Sequence, residues 1–186
     1  TVVISIAAPP TRSAEARALA ADGAGNLWTV KGDYSGEAGI MSLRKYDSGG
    51  NLLAFTVLPQ ASDHWDFGIG FDASDNAWTE GSYSSGGVLG WGVWKVAAAG
   101  NELLNSATFV PPDGKVETSG IAVDASIAVD GSGNVWVTGV EPAAPSFRAV
   151  LWKFGPDASL APGYPVTYQG AAGAAEEQTS KAKPNN

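Results

Sequence analysis

Histidine occurs once in this 186-residue sequence, as His64 in the run SDHWD at residues 62–66. An imidazole among carboxylates can serve as a general base or a metal ligand. Trp65 and Asp66 beside it could stack against, and hydrogen-bond to, a sugar or peptide. One histidine and no cysteine leave too few groups for a zinc site, and no nucleophile motif accompanies them. Asp22, Asp72 and Asp130 suggest a different chemistry. The run DASDN at residues 72–76 resembles the start of an EF-hand calcium loop. That loop needs Gly at its sixth position and Glu at its twelfth, where this chain has Ala77 and Tyr83. We therefore read the three aspartates as turn caps and expect no metal and no cofactor. Lys45, Lys95 and Lys153 complete the survey. A Schiff-base lysine is unique in its site, and these are tripled. They read as exposed or as paired with the repeated acids.

The tripling leads to the elements that must hold these residues. Three segments align: ALAADGAGNLWTVKG at residues 18–32, GIGFDASDNAWTEGS at 68–82 and SIAVDGSGNVWVTGV at 126–140. Each carries Asp, then Asn four positions on, then Trp two beyond that: Asp22/Asn26/Trp28, Asp72/Asn76/Trp78 and Asp130/Asn134/Trp136. The lysines follow at a constant distance, since 45−22, 95−72 and 153−130 all equal 23. The period is 72−22 = 50, then 130−72 = 58, the excess lying in residues 111–125.

Each copy reads as four strands. Strand a ends at the Asp. A tight D-x-x-G/D-N turn follows, favoured because Asp and Asn side chains bond nearby backbone and because Gly or Asn tolerates positive φ. Strand b carries the Trp and strand c ends at the Lys. A second turn, DSGGN or AAAGN, leads to strand d. Short strands with frequent turn signals mark a sandwich, barrel or propeller, and a long four-stranded repeat selects the propeller. The expected fold is all-β, a β-propeller of about three four-stranded antiparallel blades, forming part of a ring or closing one by oligomerisation. The divisions are residues 1–10 as strand d of an incomplete blade, 11–60, 61–110 and 111–170 as blades, and 171–186 as a disordered polar tail. Residues 161–168 (APGYPVTY) form the last strand d. We read the chain as a piece of a longer protein or as half of a symmetric pair. Trp28, Trp78 and Trp136, each mid-strand, read as packing between blades rather than as a ligand ring.

The pattern resembles the bacterial SBBP-type β-propeller repeat, whose units run apolar-Ala-apolar-Asp, a small turn, Gly-Asn, then a hydrophobic strand ending Thr-Gly. Residues 127–139 (IAVDGSGNVWVTG) fit it best, and the resemblance covers about residues 15–168. The first copy departs at Val30 and Lys31, the second at Ala77 and Glu80. The resemblance implies an exported, extracytoplasmic bacterial protein. The same D-x-x-G-N-x-W core recurs in other propellers, so it speaks for fold and hardly at all for function.

Composition narrows the partners. Net charge is −8 with no Lys/Arg cluster, which excludes a nucleic-acid backbone as partner. No run approaches the ~20 apolar residues of a membrane helix. Binding residues are expected on the face holding the longer connections, b–c at 32–39, 81–90 and 140–147 and d–a at 61–66 and 111–124. Tyr34, His64, Trp65, Asp66, Tyr83 and Asp124 are the candidates there. Asp66 and Asp124 each lie six residues before a repeat Asp, since 72−66 and 130−124 both equal 6. The function these residues suggest is a non-enzymatic binding or scaffold module for a protein or carbohydrate, completed by further blades or a second copy. The alternative is a propeller lyase or hydrolase with its site near His64.

Overall fold

Runs rich in Val, Trp, Leu and Thr, cut every few residues by Asp, Asn and Gly, fit pleated strands joined by tight turns. The computed structural model describes residues 14–33, 40–61, 68–85, 88–109, 126–143 and 146–168. Among them there is no helix, and hence none long and apolar enough to cross a membrane. Twelve strands form three four-stranded antiparallel sheets in strict chain order. The first sheet holds β1 (Ala14–Ala21), β2 (Leu27–Asp33), β3 (Ile40–Tyr46) and β4 (Leu52–Val57). The second holds β5 (Gly68–Phe71), β6 (Ala77–Ser85), β7 (Val88–Val96) and β8 (Leu103–Phe109). The third holds β9 (Ser126–Val129), β10 (Val135–Ala143), β11 (Ser146–Phe154) and β12 (Val166–Tyr168). Residues 1–10 and 171–186, expected as a lone strand and a tail, lie outside the described residues.

Two expectations are corrected. In the second and third sheets the b–c connections are not long loops. β6 and β7 pair as far as Ser85↔Val88, and β10 and β11 as far as Ala143↔Ser146, so two residues join each pair. Gly90 helps the longer β6–β7 ladder form. A side chain there would strike the Phe109 carbonyl, and the Tyr83 ring lies beside the same spot. The last strand is also shorter than residues 161–168, beginning only at Val166. Pro162 and Pro165 carry no N–H to give to a ladder, which shortens it.

Register divides each sheet into two faces, because directly paired residues share a side. The front face carries the repeat tryptophan and lysine: Trp28 pairs Lys45, Trp78 pairs Lys95 and Trp136 pairs Lys153. The front of the first sheet packs on the back of the second. One core results, joining Trp28, Val30, Met41 and Leu43 to Ala77, Trp94 and Val96, with Phe71 edge-on to Trp28 at 5.9 Å. The front of the second packs likewise on the back of the third. Trp78, Trp91 and Val93 meet Val135, Val137, Trp152 and Phe154, and the Phe109 ring packs tilted against Phe154 at 4.8 Å. Glycines make room for the large rings. A Cβ on Gly92 would collide with the Trp94 ring, and one on Gly139 would lie 2.9 Å from Trp152. Strands β1, β5 and β9 pack on one another with β5 in the middle, and a Cβ on Gly68 would come within 2.9 Å of Ile127.

Trp28 and Trp78 are fully buried between sheets, but Trp136 is only half-buried and belongs to neither core. Among the described residues no sheet covers the front of the third. Trp28→Ala is therefore expected to cost about 3–5 kcal/mol, and Trp136→Ala distinctly less when the protein is dilute. Urea denaturation of the two variants measures this, and equal losses would mean that Trp136 is covered after all.

Candidate functional site

The most sharply built polar arrangement is the tripled Asp–Asn–Trp–Lys cluster. In the first sheet it begins with the turn after β1. Asp22 accepts at Oδ1 from the backbone N–H of Ala24 at 3.1 Å and of Asn26 at 2.8 Å, while the Asn26 amide donates to both carboxylate oxygens. Gly25 supplies the left-handed residue at φ 83°. The Trp28 indole Nε1 donates to Oδ2 at 3.0 Å, and Lys45 Nζ sits 3.1 Å from the same oxygen. That ammonium also lies 5.0 Å from the Trp28 ring centroid. Its remaining bond leaves the sheet: Lys45 Nζ donates to the Ala98 carbonyl at 2.7 Å, in the turn between β7 and β8.

The second sheet repeats this with one change. Asp72 accepts from Ser74, Asn76 and the Asn76 amide, and pairs with Lys95 at 3.0 Å. Lys95 lies 5.0 Å from the Trp78 ring centroid and donates to the Pro156 carbonyl at 3.1 Å, in the turn after β11. The Trp78 indole N–H, however, is buried without a hydrogen-bond partner. In the third sheet, Asp130 accepts from Ser132, Asn134 and the Trp136 indole at 3.1 Å. Lys153 stands 4.6 Å from the Trp136 ring centroid.

The turn-capping role expected of the aspartates is present in all three copies. All three lysines are half-buried, and Lys45 and Lys95 pair with the acid and tie one sheet to the next. Burial pushes the Asp22 carboxyl up, but bonds from Trp28, Asn26 and Lys45 outweigh it and hold the group far below the usual carboxylate range. Asp72 is opposed by burial in the same way and is lowered by Asn76 and Lys95. Asp130 is brought down to about 2 by Asn134 and Trp136. These are fixed anions at neutral pH, unsuited to passing protons. In the calcium-like run DASDN, the Lys95 ammonium takes the position of a cation against Asp72. Among the described residues no group of three or more His, Cys, Asp or Glu could hold a metal ion.

Of the residues predicted to bind a ligand, Tyr34, His64, Trp65, Asp66 and Asp124 lie outside the described residues. Tyr83 is described. It is half-buried and stands in strand β6 opposite Gly90, not on a loop. Backbone pairing places it beside Ala61, the residue that precedes the SDHWD run in sequence. Ala61 bridges to Tyr83 and Gly68 pairs with Glu80, so the chain leaves and rejoins the second sheet along one strand on either side of residues 62–67.

Glu80 and Ser82, both fully buried on the front of the second sheet, were not predicted as site residues. Glu80 stands where the other copies have Val30 and Thr138. Gly68 makes space for it, since a Cβ there would lie 3.0 Å from Glu80 Oε1. The signal was legible as a departure from the repeat pattern: a charge at a position whose neighbours two residues away face the core. With Tyr83 it places a carboxylate and a phenol on the strand that anchors residues 62–67.

No protein-family model matches the chain, and no curated protein matches it.

The clusters predict an acid response. An Asp whose folded pKa lies below its unfolded value, about 3.9, stabilises the fold above that value and stops doing so as pH falls through the folded pKa. Asp22, Asp72 and Asp130 are all lowered. The melting temperature should fall as pH drops from about 4 towards about 2. Asp22→Asn should melt lower at neutral pH and show a shallower acid fall. An acid limb of undiminished steepness in that variant would remove Asp22 from this role.

Proposed function

We propose that the three sheets are consecutive blades of a β-propeller, and that this module binds a protein or carbohydrate ligand without turning it over. The observation that carries the blade reading is the repeated front-on-back stacking, with β1, β5 and β9 packed side by side as innermost strands. Sheets that meet along their first strands are arranged as blades around an axis. The resemblance to SBBP-type repeats supports the same reading, and with it an exported, extracytoplasmic location.

The binding half of the proposal rests on where the polar groups go. The repeated acids and two of the three repeat lysines are engaged in holding turns and sheets together. What breaks the repeat lies along β6, whose Glu80 and Tyr83, on opposite faces, pair with Gly68 and Ala61 at either end of the segment holding His64, Trp65 and Asp66. The aromatic and acidic run at residues 62–66 departs from the repeating scaffold, and such departures are where a rigid fold carries recognition residues.

Glycan and peptide arrays test this directly. A hit should lose binding when Trp65 and Asp66 are both changed to Ala, with the melting curve preserved. Undiminished binding would exclude the site. Chemical conversion of the hit, abolished by His64→Ala, would replace the binding reading with the enzymatic one.

A further inference from the structure

The internal interfaces follow one rule. Each front face receives the turn joining strands c and d of the next sheet, and its lysine donates to one carbonyl of that turn. The carbonyls are equivalent. Ala98 lies two residues before Gly100, which has φ 83°, and Pro156 lies two before Ala158, which has φ 63°. Gly100 N–H bonds the Ala97 carbonyl, and Ala158 N–H bonds the Gly155 carbonyl, closing the same turn. In the first sheet, Gly50 has φ 83° and bonds the Asp47 carbonyl, so the matching carbonyl is that of Ser48.

Among the described residues, no sheet lies on the front of the third sheet or on the back of the first, so the chain carries both halves of this interface at opposite ends. The third sheet's front presents Trp136, Lys153 and Leu151 half-buried, with Thr138 and Tyr168 exposed. Lys153 has its tryptophan but no turn carbonyl among the described residues. The first sheet's back presents Leu19 at 71% exposure and Phe55 and Ile40 at 53% each, around a buried patch of Thr29, Lys31 and Ser42 on the same face. The residue equivalent to Leu19 in the second sheet is Ile69, packed against the core. Arg44 occupies the place of Trp94 and Trp152, which keeps this face wettable while it is open.

We propose that the front of the third sheet docks the back of the first sheet of a second copy of this chain, head to tail, with Lys153 Nζ donating to the partner's Ser48 carbonyl. The argument for that occupant is continuity: the interface already occurs twice within the chain, and each end supplies what the other lacks. It is a heterologous contact, which closes into a ring if its rotation permits and otherwise propagates. The proposal rests on the packing of the sheets and not on ligand binding.

Sedimentation velocity over a range of concentrations tests it with three variants at exposed or half-buried positions. The unaltered chain should associate reversibly. Thr138→Arg blocks the front face and Phe55→Asp the back, and each alone should sediment as a monomer with an unchanged far-ultraviolet spectrum. Mixed in equal amounts, they should form a one-to-one complex and nothing larger, because each retains the half the other lost. Lys153→Gln should weaken self-association about tenfold, the loss expected for a hydrogen bond to a charged group. A monomeric unaltered chain, self-association of either blocked variant, or failure of the mixture to pair would each overturn the proposal. None of these outcomes bears on the array result.

Discussion

The ammonium of the repeat lysine is the joint on which the sheet packing depends. In each of the first two sheets it sits over a tryptophan ring, against an aspartate that a turn has already fixed, and donates to the next sheet's backbone. A lysine drawn out of water towards a core is costly unless its charge is compensated. Here the carboxylate and the ring supply compensation within the sheet, and the turn carbonyl supplies it across the gap. The carbonyl gains as well, since a turn seated against an apolar face needs a partner for its backbone. The tie is therefore directional: front lysine, next sheet's turn.

That direction governs the apolar residues around it. Gly100 is seated so closely that an added Cβ would lie 3.1 Å from both Ala54 and Lys45. Thr56 donates from the same face to the Gly100 carbonyl at 3.0 Å, and the Trp94 indole returns a bond to the Pro59 carbonyl at 3.1 Å. Polar bonds at the rim set the register of the sheets, while the tryptophan and valine side chains supply the buried area. An apolar core alone would tolerate sliding. Bonds to single carbonyls would not.

Much of this was legible in the sequence because the repeat makes its own alignment. Equal Asp–Lys separations in three divergent copies fix the alignment of the repeat, and the D-x-x-G/D-N spacing specifies the turn. What was not legible follows from context beyond one copy. Trp136 reads the same as Trp28, yet burial depends on a neighbouring sheet that local sequence does not encode. The glycines at 81 and 90 read as ends of strands, but Gly90 extends a strand by removing a side chain that Phe109 would meet. The candidate ligand residues were chosen by chemistry, and only Tyr83 can be placed. Its position shows that a residue assigned to a loop stands in a ladder.

The copies also differ in a way that identifies which features are structural. The indole-to-carboxylate bond occurs in the first and third sheets and not in the second, where the Trp78 N–H stays unpartnered in a fully buried ring. The second sheet holds nevertheless, with Lys95 on Asp72 and both of its faces covered. The indole bond is thus dispensable when the ring is enclosed on both sides. On the third sheet the order is reversed: the bond is present, and among the described residues no second sheet encloses the ring. There Tyr164 packs edge-on to Trp136 at 5.8 Å, a partial cover drawn from the same sheet. A cluster built to receive a turn, with its indole, acid and lysine already in position, has its geometry set before any partner arrives. Such preorganisation lowers the ordering cost of docking, so little of the interface's gain would be lost to fixing these side chains.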